Sequence, residues 1–238
     1  MNLFIKNTKP VSFVPVSVWF VLFCSFSLQL MWYSVFEKPQ IKLEALPPAP
    51  DISFARLIGL DDQITTAKMA MLWLQAFDNQ PGISIPLKEL DYDRVIEWLD
   101  LILSLDEKAQ YPLLAAIRFY AEVPDKQKQE KMIQFVIKKF IEDPDTRWPF
   151  MAHAVYIAKH RVKNMQLALE CAHLLRLYAK GKNVPDWAKQ MEIFVLEDMG
   201  ELESAKILIG GLLESGELND SHQRFFLEKK LLEIEQRQ

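Results

Sequence analysis

Residues 110–121, QYPLLAAIRFYA, return 37 positions later as RWPFMAHAVYIA (147–158). Each copy sets an aromatic residue before a proline, two large apolar residues and an alanine, and each closes on alanine. A third copy, VPDWA (184–188), keeps Pro185 and Ala188 a further 36 positions on. Between the copies run other helical segments, in which Val95, Met132, Ala168 and Ala205 are separated by 37, 36 and 37 residues. Two helix families sharing one period are the signature of stacked helical hairpins, each unit burying its apolar face against the next. Pro112, Pro149 and Pro185 are expected in first turns, where a helix needs no amide donor.

Working outward, apolar residues recur at helical spacing from Asp51 to the end. The pattern predicts helices over 52–59, 62–77, 92–104, 109–122, 127–141, 147–160, 164–179, 185–199, 201–215 and 219–235. No strand pattern emerges, and ISIP (83–86) reads as loop. With only 7 glycines in 238 residues the chain lacks the positive-φ turn residues that hairpin-rich β folds use. The fold class is therefore all-α.

Some of these segments resemble the tetratricopeptide family. EDMGELESA (197–205) is similar to its hairpin turn, and LSLDEKAQYP (103–112) and FIEDPDTRWP (140–149) to its inter-repeat connection, with Asp143-Pro144 the clearest match. The resemblance covers roughly 92–236. It departs in a period of 36–37 instead of 34, in lacking the Trp-x-x-Leu-Gly core, and in an irregular insertion at 79–90. It implies a divergent α-solenoid of stacked antiparallel hairpins whose first helices line a concave groove, carried on one membrane helix as in bacterial inner-membrane proteins with periplasmic repeats. On that register His153, His160 and Arg161 face the groove in one repeat, and Trp187, Gln190 and Glu197 in the next.

The other end of the chain is different in kind. Between Lys9 and Glu37 there is no charge, and Val11 to Leu30 reads VSFVPVSVWFVLFCSFSLQL. About 20 apolar residues cross the roughly 30 Å of a bilayer's hydrocarbon. Trp32, Tyr33 and Phe36 follow where an interfacial aromatic belt would lie. FSLQLMWYSVF offers no pair of small residues for signal cleavage, so an uncleaved anchor is expected. Lys6 and Lys9 on one flank, against balanced Glu37, Lys38, Lys42 and Glu44 on the other, place the N-terminus in the cytoplasm and the body across the membrane, in the periplasm of a bacterium. The expected division is a cytoplasmic tail (1–10), a transmembrane signal-anchor helix (11–36), a Pro-rich linker (37–51) acting as a semi-rigid spacer, N-terminal helices with an irregular loop (52–91), and the repeats with a C-terminal capping helix (92–238).

Candidate chemistry is sparse. His153 and His160 share a helix face but stand seven residues, roughly 10 Å, apart, too far for one zinc ion without further ligands. Glu170 and His173 make one Glu-x-x-His pair, where di-iron bundles need two. No P-loop, Rossmann glycine pattern or nucleophile elbow occurs. Cys171 sits among Leu169, Ala172 and Leu174 and reads as a buried thiol. The segment 37–238 carries 26 basic and 32 acidic residues, a poor balance for nucleic acid. Lys126, Lys128, Lys131, Lys138 and Lys139 make 125–139 locally basic and read as a solvated face. Trp73, Trp98, Phe135, Phe140 and Phe194 read as core.

The expectation is a membrane-tethered, non-enzymatic scaffold or assembly factor that binds other membrane or envelope proteins, with no cofactor, metal, nucleic acid or small-molecule substrate. The alternatives are a metal-binding or enzymatic subunit using His153/His160 or Glu170/His173, and a structural spacer whose last helix folds back over the concave side.

Overall fold

A computed structural model describes residues 14–35, 45–77, 79–80, 83–214 and 221–236. The chain divides into two compact units, 1–43 and 44–238.

The first unit contributes α1 (Val16–Val35), the one helix among the described residues that is long and apolar enough to span a membrane. Twenty residues at about 1.5 Å each give roughly 30 Å, the thickness of bilayer hydrocarbon. Pro15 stands just before the helix and its carbonyl accepts from the Val18 amide. Leu30 lies within α1; the expected start, Val11, lies outside the described residues, as do the tail 1–10 and the flanking charges at 37, 38, 42 and 44.

The second unit is helical: α2 (Ile52–Ile58), α3 (Gln63–Ala76), α4 (Tyr92–Leu105), α5 (Tyr111–Arg118), α6 (Lys126–Glu142), α7 (Pro144–Ile157), α8 (Met165–Tyr178), α9 (Asp186–Lys189), α10 (Met191–Asp198), α11 (Leu202–Glu214) and α12 (Ser221–Gln236). Five starts are set by the side chain in front. Asp51, Asp62, Asp91, Asp125 and Asn164 accept from the amides of Ser53, Thr65, Asp93, Lys128 and Leu167, filling donors the first turn leaves unpaired. ISIP is not wholly loop: strand β1 (Asn79–Gln80) pairs antiparallel with β2 (Ile83–Ser84), Gln80 opposite Ile83.

The proline expectation needs correcting. Pro112 does lie in the first turn of α5, but α7 already begins at Pro144, which leaves Pro149 inside the helix, and Pro185 precedes α9 as its N-cap. Asp143-Pro144 supplies the helix start, because only the first turn tolerates a missing amide without losing a hydrogen bond.

Two turns close with paired bonds that satisfy the last carbonyls. After α10, the Glu201 amide donates to Leu196 and the Gly200 amide to Glu197, with Gly200 at φ 78°. After α2, the Asp61 amide donates to Arg56 and the Leu60 amide to Leu57, but here the left-handed position belongs to Leu60, at φ 49°. Gly59 before it is needed for space: a Cβ there would meet Thr66 Oγ1 at 1.8 Å.

Packing links α3 to α4, α6 to α7, α7 to α8, α8 to α10, α10 to α11 and α11 to α12. Val95, Met132, Ala168 and Ala205 are each fully buried, on α4, α6, α8 and α11. Side-chain contacts between neighbouring segments recur at sequence separations of 34 to 40: Gln75 to Tyr111 at 2.6 Å, Lys131 to Asp93 at 2.6 Å, Asn164 to Glu130 at 3.3 Å, and Arg147 to the Glu107 carbonyl at 3.0 Å. A separate small core of Ile193, Leu196, Ala205, Ile209, Leu227 and Ile234 joins α10, α11 and α12.

The end of the linker belongs to the body. Leu46 is buried, Trp98 Nε1 donates to the Pro47 carbonyl at 2.9 Å, and the indole of Trp98 lies 4.4 Å from that of Trp73. Residues 45–50, the end of the expected semi-rigid linker 37–51, are thus held on α4; residues 36–44 lie outside the described residues.

The basic stretch 125–139 is also not simply solvated. Lys139 is buried, 2.6 Å from Asp100 and 2.9 Å from Glu142. Arg147, equally buried, donates to Glu142 at 3.0 Å and to the Lys139 carbonyl at 2.6 Å. Burial alone would lower the Lys139 pKa, but its ammonium donates to the Asp100 and Glu142 carboxylates, which outweigh burial and hold it above the ordinary value. Burial likewise opposes ionisation of Glu142, yet Lys139 and Arg147 hold its carboxyl below the ordinary value. Lys128 donates to the Leu90 carbonyl at 2.9 Å.

Candidate interaction face

One candidate surface is built on α7 and its continuation. After Ile157 the helix widens into a π-turn, Ala158–Val162, that ends at Lys163 in the left-handed region. His153, Tyr156 and His160 fall in file along it. His153 stacks on Tyr156 with ring centroids 5.6 Å apart, and Tyr156 meets His160 at 4.8 Å. Arg161, in the π-turn, pairs with Glu122 at 3.0 Å and ties α7 to the turn that follows α5.

Beside this file lies a depression of about 460 Å³ lined by Arg118, Glu122, Pro149, His153, Tyr156 and Trp187. Trp187 on α9 is 48% exposed and stands edge-on to Trp148, centroids 5.5 Å apart. His153 Nε2 is buried and has no hydrogen-bond partner among the described residues. Burial, reinforced by Arg118 and opposed by Glu122, holds its pKa below the ordinary imidazole value, so the ring is neutral at pH 7. The depression thus offers aromatic walls, a guanidinium and a carboxylate.

A second depression, about 510 Å³, opens between α3 and the start of α5. Met71, Leu72, Ile102, Tyr111 and Pro112 line it, with Lys68 at its rim. Sequence reasoning did not find it, because no residue there carries a motif; only the space between helices makes it a site.

Of the six groove residues expected from sequence, four meet on one face: His153, His160, Arg161 and Trp187. The other two are covered. Gln190 is 2% exposed and its amide donates to Gln223 on α12 at 3.1 Å. Glu197, its side chain 10% exposed, pairs with Lys230 on α12 at 3.0 Å. Phe194, expected in the core, is partly exposed and meets Phe226 of α12 at 6.2 Å. The period locates these residues on their helix but carries no information about what α12 lays over them.

The Glu170/His173 pair does not assemble. His173 Nδ1 instead lies 2.9 Å from Glu192, whose other oxygen accepts from Arg176 Nε at 2.5 Å. Glu192 is buried in that clamp, a tie between α8 and α10. Burial pushes the Cys171 thiol well up, so it stays protonated and unreactive. Among the described residues no three His, Cys, Asp or Glu side chains come together as a metal site. No protein-family model, curated protein or solved structure matches the chain.

Proposed function

We propose that the chain is a membrane-tethered, non-catalytic interaction module: a divergent tetratricopeptide-like solenoid, anchored by α1, that holds another envelope protein on its first-helix face. The observation that carries this reading is the file His153–Tyr156–His160 with Trp187 beside it, partly exposed aromatic side chains flanking a depression on elements fixed by a rigid core. Large amphipathic side chains of this kind contribute contact area at low entropic cost and are enriched where proteins meet. Rigid stacked hairpins present such side chains at a fixed spacing to an extended or helical segment of a partner. A membrane tether raises the effective concentration of membrane-bound partners.

Copurification from membranes in mild detergent tests the reading. A partner enriched with the wild-type chain and lost with Tyr156→Ala/Trp187→Ala supports it; a partner retained by that variant contradicts the assignment to this face. On this proposal the N-terminus is cytoplasmic and the body periplasmic. A C-terminal alkaline phosphatase fusion should then be active, and activity confined to a cytoplasmic reporter reverses the orientation.

A second reading, a structural spacer that only fills space within a larger assembly, is favoured by one observation: α12 lies over Gln190 and Glu197 and removes them from the face. It predicts that Tyr156→Ala/Trp187→Ala leaves every association intact.

A further inference from the structure

The turn joining α2 to α3 carries an apolar surface that the fold does not use. Of the helix ISFARLI only Ala55 is buried, so the body fixes the orientation of α2 while Phe54, Leu57 and Ile58 point outward, Leu57 at 73% exposure. Ile64, at the start of α3, is exposed as well. Between them Leu60 is 90% exposed and occupies the left-handed closing position that elsewhere in this chain goes to Gly200. A leucine is the wrong residue for that backbone and the wrong residue for water. Five large apolar side chains within eleven residues exceed the scattered exposure expected of a solvated surface.

We propose that this turn inserts its apolar side chains into the hydrocarbon boundary of the bilayer that holds α1, docking the body on the membrane by a fixed edge. The inference rests on the reading of α1 as an anchor. Three observations select lipid as the occupant. Leu60 stands 90% exposed on the tight turn between two helices, which suits a soft planar medium better than a shaped protein surface. The chain is held on the body from Leu46 onward, and only nine residues, 36–44, separate the end of α1 from the described start of the body, a length of chain of at most about 30 Å. A membrane that holds α1 is therefore joined to the body by a short stretch of chain. Finally, the local charges, Asp51, Arg56, Asp61, Asp62 and Lys68, make no cationic cluster, and Asp51 and Asp62 are engaged as helix caps. Attraction must come from apolar burial, which needs neither anionic lipid nor low salt.

Depth-dependent quenching in the full-length chain tests this. The protein is reconstituted into phosphatidylcholine vesicles whose acyl chains carry a nitroxide, with a bimane on one cysteine at a time. The native Cys24 in α1 reports the anchor; Leu60→Cys and Leu57→Cys, in a Cys24→Ser background, report the turn; Lys182→Cys reports an exposed site elsewhere on the body. The expected result is at least twofold quenching at Cys24, Leu60→Cys and Leu57→Cys, unchanged in high salt, and none at Lys182→Cys. Quenching at Cys24 without quenching at either turn position overturns the docking and leaves the anchor standing. No quenching at Cys24 overturns the anchor and the docking with it. Equal quenching at Lys182→Cys, or quenching that requires anionic lipid, overturns a fixed apolar edge.

Discussion

The Lys230 ammonium lies 3.0 Å from the Glu197 carboxylate and joins α12 to α10 through a pair of side chains that are both largely out of water. Alongside it Gln190 meets Gln223, while Leu227 and Ile234 are fully buried against α10 and α11. The last helix therefore closes the C-terminal core and also covers two residues expected on the candidate face.

Lys230→Ala withdraws the positive charge from a nearly buried carboxylate. It should lower stability by about 1–3 kcal/mol, read as a lower urea midpoint. Lys229→Ala, whose partner Glu233 is 4.0 Å away on an exposed surface, should change stability by less than about 0.5 kcal/mol.

Arg147 ties α6 to the α4–α5 connection, reaching the Lys139 carbonyl and Glu142 carboxylate of α6 and the Glu107 carbonyl. Arg147→Ala leaves the buried Lys139 carbonyl unpaired while Glu142, its side chain 45% exposed, turns to water, and should cost about 1–3 kcal/mol. Arg147→Lys should recover less than half of it, since an ammonium cannot copy the guanidinium fork. Thermal unfolding of both variants checks the order.

The pH dependence follows from three shifted groups. His153 has a folded pKa below 6.5, so the unfolded chain takes the proton first, and stability falls as pH drops through 6.5 toward the folded value. Glu142, lowered from 4.5, contributes above that pH and loses its contribution as pH falls through its folded value. Lys139, raised from 10.5, contributes fully below 10.5 and loses it as pH rises through its folded value. His153→Gln should flatten the Tm profile between pH 5 and 7 while leaving the acid and alkaline limbs in place. An unchanged slope would show that His153 does not sense this range.

Leu60→Gly separates fold from function at the α2–α3 turn. Relief of the left-handed leucine should raise stability by up to about 1 kcal/mol, while bilayer docking weakens. Gly59→Ala should do the reverse to stability, because its Cβ would collide with Thr66.

Much of this architecture was legible in the sequence. Helices expected to begin at 52, 62, 92, 127 and 164 begin within one residue of those positions, and Val95, Met132, Ala168 and Ala205 are buried where the period puts them. What stayed hidden depends on neighbours in space. Lys139 reads as one more surface lysine until Asp100 and Arg147 arrive from other helices. Pro149 reads as a helix start because its motif matches Pro112, whereas the start is set five residues earlier. Gln190 and Glu197 have groove register, but α12, 33 residues downstream, covers them. The α3–α5 depression has no sequence signal at all, since its buried Met71 and Ile102 and exposed Leu72 and Tyr111 form no motif and only the space between helices unites them.

The central claim is that the Tyr156–Trp187 face holds a partner, and site-specific photocrosslinking tests it most directly. With a benzophenone amino acid in place of Tyr156 or Trp187 in the full-length chain, irradiation of cells should yield one discrete adduct common to both positions and absent from Lys182. No adduct at either position, or the same adduct from Lys182, would contradict the account.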